Sequence, residues 1–281
     1  MDSPRFTNNE DGAIALKAYC EGSGPPLIML GGGTTGAAGF APHAKQLAEE
    51  FCVIRLQTLN VDRAHNLQPL PRDYSIKLEA QSMRRSIDRL NLTQPIDVIG
   101  HSLGALIALD YALDRPRAVR SLVLSEPPAF WVIPASERNA CPELWSMISI
   151  VRNFKPWIEP SDEDLVAFMK GLGETEFDPP LNTDPSREAW NAHRRCLRGL
   201  SAVAEHVDDV TRLAGFRAPV LFVEGIGTAV FHQCINERLA FHLPCTERLF
   251  LPGGHSAVLT VRDAFVGASR LFLNRAKHER R

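Results

Sequence analysis

The sequence predicts an α/β fold with a mostly parallel sheet covered on both faces, and three observations carry that prediction. Short apolar runs bounded by turn residues recur at 27–30, 52–56, 96–99, 119–124, 220–223 and 248–251, as buried strands do. Helical patterns lie between most of them, at 40–51, 76–90, 103–113, 231–243 and 261–272. Alternating strands and helices require crossover connections, which place helices on both faces of a parallel sheet. The third observation is where the alternation stops. From Pro127 to about Asp209, prolines, short helical patches and the tryptophans Trp131, Trp145, Trp157 and Trp190 replace the strands. A helical insertion covering the functional edge of the sheet accounts for this stretch. The expected organisation is a core of residues 1–128 and 210–281 carrying a cap of residues 129–209. An ordinary helical subdomain is the alternative for the insertion.

Composition narrows the function. Hydrophobic residues make up 44% and charged residues 23% of the 281, which suits one globular core and argues against disorder. Thirty-one basic against thirty-three acidic side chains leave a formal charge of -2, so no global field draws nucleic acid or an anionic membrane. The expected partner is a small molecule, uncharged and partly hydrophobic. Residues 1–10 are polar and lack the basic start and apolar run of a secretory signal, and no later apolar run approaches the roughly 20 residues of a membrane span. A soluble, cytoplasmic protein is expected. The six cysteines are scattered without metal-site or redox spacing and read as free thiols.

The chemistry is concentrated in Gly100-His101-Ser102-Leu103-Gly104. This G-x-S-x-G pattern follows the run 96–99 and opens the helical pattern 103–113, the strand, sharp turn and helix that a nucleophile elbow requires. The glycines make room for a strained backbone that projects the serine hydroxyl, and the helix start aims free N–H groups at developing negative charge. Ser102 is the candidate nucleophile. Plain turn chemistry is the competing reading of a Gly- and Ser-rich turn.

With this elbow and its order of elements, nearly the whole chain resembles the α/β-hydrolase superfamily. The resemblance implies an eight-stranded sheet, a lid after the family's sixth strand, and a triad in the order serine, acid, histidine. In the family the catalytic histidine lies after the last strand, where this chain reads Pro252-Gly253-Gly254-His255. His255 is therefore the expected general base, an imidazole being the side chain that titrates near neutral pH. His101, beside the nucleophile, is read as packing.

The acid departs from the common pattern. Most members place it a few residues after the seventh strand, but Val223-Glu224-Gly225-Ile226-Gly227-Thr228-Ala229 has no carboxylate beyond the loop glycine. A second placement follows the sixth strand, where Leu122-Val123-Leu124-Ser125 leads into Glu126-Pro127-Pro128. This is similar to some haloalkane dehalogenases, whose aspartate nucleophile is absent here, and to the zearalenone lactone hydrolase type. Glu126 is the chosen acid and Glu224 the alternative.

The run Gly31-Gly32-Gly33-Thr34-Thr35-Gly36 matches neither the Walker pattern nor a dinucleotide fingerprint. By the resemblance, Gly32 and Leu103 would donate backbone N–H groups to the oxyanion. Gly31, Gly33 and Trp131 are the expected substrate contacts, with Phe130 and Trp157 as further aromatic cap residues. Residues 59–65 stand where the family usually has a glycine-rich turn. The expected activity is cleavage of a carboxylic ester or lactone through an acyl-enzyme, with no metal or organic cofactor. Carbon–carbon bond hydrolysis, acyl transfer, amide hydrolysis, or ligand reception without turnover remain alternatives on the same site.

Overall fold

A computed structural model of the chain describes residues 14–92, 95–138, 141–174 and 177–278. Seven strands are present among them: β1 (Lys17–Glu21), β2 (Pro26–Leu30), β3 (Cys52–Gln57), β4 (Ile96–His101), β5 (Val119–Ser125), β6 (Val220–Gly225) and β7 (Thr246–Leu251). They form one sheet in the order β1-β3-β2-β4-β5-β6-β7, with β1 antiparallel to β3 and every other pairing parallel. The family resemblance implies eight strands; seven stand among the described residues.

The helices of the core are α1 (Gly36–Gly39), α2 (Ala41–Leu47), α3 (Leu59–His65), α4 (Ile76–Arg89) and α5 (Leu103–Asp114). Between β5 and β6 come α6 (Ala135–Arg138), α7 (Pro142–Asn153), α8 (Asp162–Gly171), α9 (Arg187–Cys196) and α10 (Ser201–Glu205), with 3-10 turns at Phe130–Val132, Leu197–Gly199 and Val210–Gly215. After β6 follow α11 (Val230–His242), α12 (Ala257–Thr260) and α13 (Arg262–His278).

The continuous apolar runs are explained by burial on both faces of the sheet. Along β2, Ile28 and Leu30 pack into the cluster that holds α4 and α5, while Leu27 and Met29 face the one that holds Phe40, Phe265 and Leu273. Each strand alternates sides with period two, and both sides are dry, so both positions must be apolar. α5 is buried along its whole length, Leu103 to Leu113, as a helix enclosed in the core must be.

Three local expectations change. The helix expected over 40–51 ends at Leu47, and Glu50 and Phe51 instead return their N–H groups to the Leu47 carbonyl. β1 escapes the hydrophobic pattern because it is an edge strand with a single fully buried residue, Ala18. Residues 59–65, which stand where the family usually has a glycine-rich turn, form a helix. Thr58, its N-cap, makes no side-chain cap; the carboxylate of Glu79, from α4, accepts the Leu59 N–H at 3.0 Å and the Asn60 N–H at 2.9 Å. A buried side chain distant in sequence thus satisfies N–H groups of the first turn that have no intrahelical acceptor.

Candidate active site

Residues that follow β2, β4, β5 and β7, with Phe231 and His232 of α11, line one cavity of about 190 Å³. Its floor contains Gly32, Gly33, Ser102, Leu103 and His255, and its apolar walls come largely from α7 and α8, through Met147, Val151, Leu165 and Phe168.

Ser102 sits between β4 and α5 with φ of 52° and ψ of -122°, a left-handed conformation that costs a non-glycine residue about 1–3 kcal/mol. The flanking glycines are what allow it. A Cβ on Gly100 would lie 2.5 Å from the Ala105 Cα, and one on Gly104 would lie 2.3 Å from the Leu30 carbonyl oxygen. Ser102 is the N-cap of α5 yet makes no side-chain cap, so its hydroxyl is not spent on its own helix.

Glu126 follows β5 and also has a left-handed backbone, φ 47°. Its Oε2 lies 2.6 Å from His255 Nδ1 and accepts from Thr228 Oγ1 at 2.7 Å, while Oε1 accepts the Gly225 N–H at 2.8 Å. Burial alone would raise the Glu126 pKa, but the hydrogen bond and charge of His255, with the Gly225 N–H, outweigh it and hold the carboxyl down at about 2. Glu126 is therefore ionised at neutral pH. Glu224 lies within β6, where it accepts from Asn236 Nδ2 at 2.9 Å and pairs with Arg248 at 3.2 Å.

The glycine loop is tied from below. Asn60 Nδ2 donates to the Gly33 carbonyl at 3.0 Å and to the Cys196 carbonyl at 2.8 Å, linking the loop to the end of α9. Gly32 faces His101, whose Nδ1 would be 3.2 Å from a Cβ there. Leu103 opens α5, and the first N–H groups of a helix have no intrahelical acceptor.

Two of the expected substrate contacts lie elsewhere. Gly31 is outside the cavity lining; a Cβ on it would meet the Gly36 carbonyl oxygen at 1.8 Å, so its smallness serves the turn of the loop. Trp131 is buried but also outside the lining. In a 3-10 turn successive side chains point about 120° apart. Phe130 thus reaches the cavity, 6.1 Å from the Phe231 ring, and Trp131 turns away. Trp157 is 78% exposed and reaches no cavity wall.

Two histidines gain importance that spacing along the chain did not signal. His101 Nε2 lies 3.1 Å from the His255 carbonyl oxygen, and burial followed by repulsion from His255 pushes its pKa to about 3. His232, on α11, stacks on His255 with ring centroids 4.6 Å apart and planes 16° apart.

Comparison with known proteins places this geometry. The family model for the alpha/beta hydrolase fold matches residues 25–260, and the chain belongs to that family. It is 26% identical over 249 residues to a Klebsiella pneumoniae protein named "Putative carbamate hydrolase RutD", covering 86% of this chain and 89% of that one. Among solved structures it is similar to a hydrolase from Pseudomonas aeruginosa (TM-score 0.69, 23% identity, 96% and 98% of the two chains). It is also similar to the carboxylesterase CesB of Bacillus subtilis (TM-score 0.68, 16% identity, 97% and 92%). Among the described residues no helix is long and apolar enough to cross a membrane.

Proposed function

We propose that the chain is a serine hydrolase that cleaves a carboxylic ester or lactone, with Ser102 as nucleophile, His255 as general base and Glu126 as the acid. The observation that carries this reading is the 2.6 Å contact between His255 Nδ1 and Glu126 Oε2, with His255 and Ser102 lining the same cavity and Ser102 held on a left-handed backbone. His255 takes the Ser102 proton as the hydroxyl attacks the carbonyl carbon, and the Glu126 carboxylate stabilises the imidazolium and fixes its tautomer. The N–H groups of Gly32 and Leu103 receive the oxyanion, where losing one donor typically costs ~10²–10³ in kcat. His255 then protonates the leaving alcohol, and water repeats the sequence to free the acid.

In this reading residues 129–209 act as a cap on a core of 1–128 and 210–281, and the aliphatic and aromatic walls drawn from α7 and α8 take an apolar acyl portion. Likeness to the carbamate hydrolase named above supports carbamates as a second substrate class for the same attack. Hydrolysis of p-nitrophenyl acetate and butyrate tests the assignment. Activity should vanish in Ser102→Ala and fall steeply in Glu126→Ala. Full activity in folded Ser102→Ala would refute it.

A further inference from the structure

The peptide unit that follows His255 is held at both ends. His101 Nε2 lies 3.1 Å from the His255 carbonyl oxygen and, since a carbonyl only accepts, the His101 ring donates there. At the other end of the same unit, the Ser256 N–H donates to Glu174 Oε1 at 2.9 Å. A peptide unit is planar, so fixing its C=O and its N–H fixes the whole plane and with it the backbone of His255. Together with the bond between His255 Nδ1 and Glu126, three separate parts of the chain hold this one residue: the end of β4, the residue after β5 and the segment after α8.

Backbone geometry sets Glu174 in place. α8 ends in a Schellman motif, in which the Gly173 N–H donates to the Lys170 carbonyl at 3.0 Å and the Glu174 N–H to the Met169 carbonyl at 3.1 Å, with Gly173 at φ 89°. A Cβ on Gly173 would lie 3.3 Å from the Ala229 nitrogen and 3.4 Å from the Gly227 carbonyl oxygen, so the turn also sits against the loop after β6. Glu174 is half-buried and, among the described residues, forms no ion pair; its carboxylate is engaged with the Ser256 N–H.

The loop of the base needs such an anchor. Gly253 and Gly254 precede His255 without side chains to pack, and Gly253 stands at φ 117°, so this stretch is costly to order. Upstream, the Gly227 N–H holds the Gly253 carbonyl at 2.8 Å; downstream, Glu174 holds Ser256. The helix that brings Glu174 there also walls the cavity through Leu165, Phe168 and Met169, and Ser256 itself lines the cavity.

We propose that Glu174 is a positioning residue for the general base: its carboxylate fixes the His255–Ser256 peptide from the cap and so aligns the imidazole that serves Ser102. The inference rests on the serine-hydrolase reading and adds that the cap acts on kcat as well as on substrate fit. Packing alone is the competing role. A carboxylate that merely closed the seam between cap and core would support the cavity walls, and its loss would appear in KM and in acyl preference. Loss of base alignment falls on proton transfer and slows every ester alike.

The test measures kcat and KM for p-nitrophenyl acetate and butyrate in the wild type, Glu174→Ala, Glu174→Asp, Glu174→Gln and Ser102→Ala, with a urea midpoint for each. Glu174→Ala should lower kcat on the order of 10–100-fold for both esters and leave KM within about twofold, as expected when a base is slightly misplaced. Glu174→Asp keeps the charge but is one methylene too short to reach Ser256, and should behave like Glu174→Ala. Glu174→Gln, whose amide oxygen can accept the same N–H, should stay within about threefold of the wild type. Were Glu174→Ala to unfold, the contrast between Asp and Gln decides. Wild-type kcat in Glu174→Ala, a loss confined to KM or to the butyrate-to-acetate ratio, or a Gln variant as slow as the Asp variant overturns the inference and leaves the hydrolase reading standing. Wild-type turnover no faster than that of Ser102→Ala overturns both.

Discussion

His255 Nδ1 lies 2.6 Å from Glu126 Oε2, joining the loop after the last strand to a carboxylate 129 residues earlier in the chain. The end of β6 and the loop after it, where the family more often keeps its acid, supply hydrogen bonds to that carboxylate instead, from the Gly225 N–H and Thr228 Oγ1. The same region of space is used, but the charge enters it from β5.

If Glu126 is the acid, Glu126→Gln should lower kcat by roughly 10³–10⁴ with little change in KM, because the neutral amide can hold the wrong tautomer. Glu224→Gln should keep kcat within a few-fold and act on stability, through its contacts with Asn236 and Arg248. Steady-state kinetics on a p-nitrophenyl ester and urea unfolding of both variants separate the two effects.

The support beneath the glycine loop gives a second prediction. Asn60→Ala removes both donors that hold Gly33 and Cys196 and should cost about 1–3 kcal/mol of stability. Freed from below, the loop should also lose kcat, by about tenfold or more, since donors that must be ordered during reaction stabilise the oxyanion less. Denaturant midpoints and initial rates on the same preparation check this.

Acid should destabilise the fold before it reaches the carboxylates. His101 and His232 have folded pKa values near 3, below the unfolded 6.5. Above pH 6.5 both states keep them neutral. Below it the unfolded chain gains protons that the folded chain refuses, so stability falls by about 1.4 kcal/mol per ring for each pH unit. Glu126 has the same sign lower down: its contribution is present above pH 4.5 and lost as pH falls toward 2. Glu79 has the opposite sign, because burial raises it to about 7, so its contribution is full below pH 4.5 and lost as pH rises through 7. Urea midpoints at pH 7.5 and 5 should show a smaller acid loss in His232→Phe than in the wild type, and equal losses would refute the assignment.

Cavity size should control acyl length. Phe168 lines the cavity from α8 and packs edge-on against Phe154 at 6.3 Å. Phe168→Ala should raise kcat/KM for octanoate relative to acetate p-nitrophenyl esters, while Trp157→Ala, at an exposed ring, should leave the profile unchanged. A rate series over acyl length checks both.

What the sequence made legible is local: the elbow, because Gly100 and Gly104 flank Ser102 between an apolar run and a helix, and His255, because Gly253 and Gly254 mark a loop after the last strand. Glu126 was reachable because it stands just beyond the run 119–124, after Ser125. What stayed hidden depends on contacts across the fold. The helix α3 is capped by Glu79 from another element, so its start carries no local cap. His232 lies inside a helical pattern, and only the packing of α11 against the last-strand loop sets it on His255. Trp131 shows the reverse: its residue type suggested a cavity wall, and the turn of one residue gave that place to Phe130.

The central claim, that Ser102 is an activated nucleophile, is tested most directly by covalent labelling. Wild type and Ser102→Ala are treated with a fluorophosphonate probe and the adduct is located by peptide mass spectrometry. The account predicts rapid, saturable labelling on Ser102, slowed in Glu126→Ala and absent from Ser102→Ala. A folded wild type whose Ser102 stays unlabelled, or a label that forms at the same rate in Ser102→Ala, would contradict it.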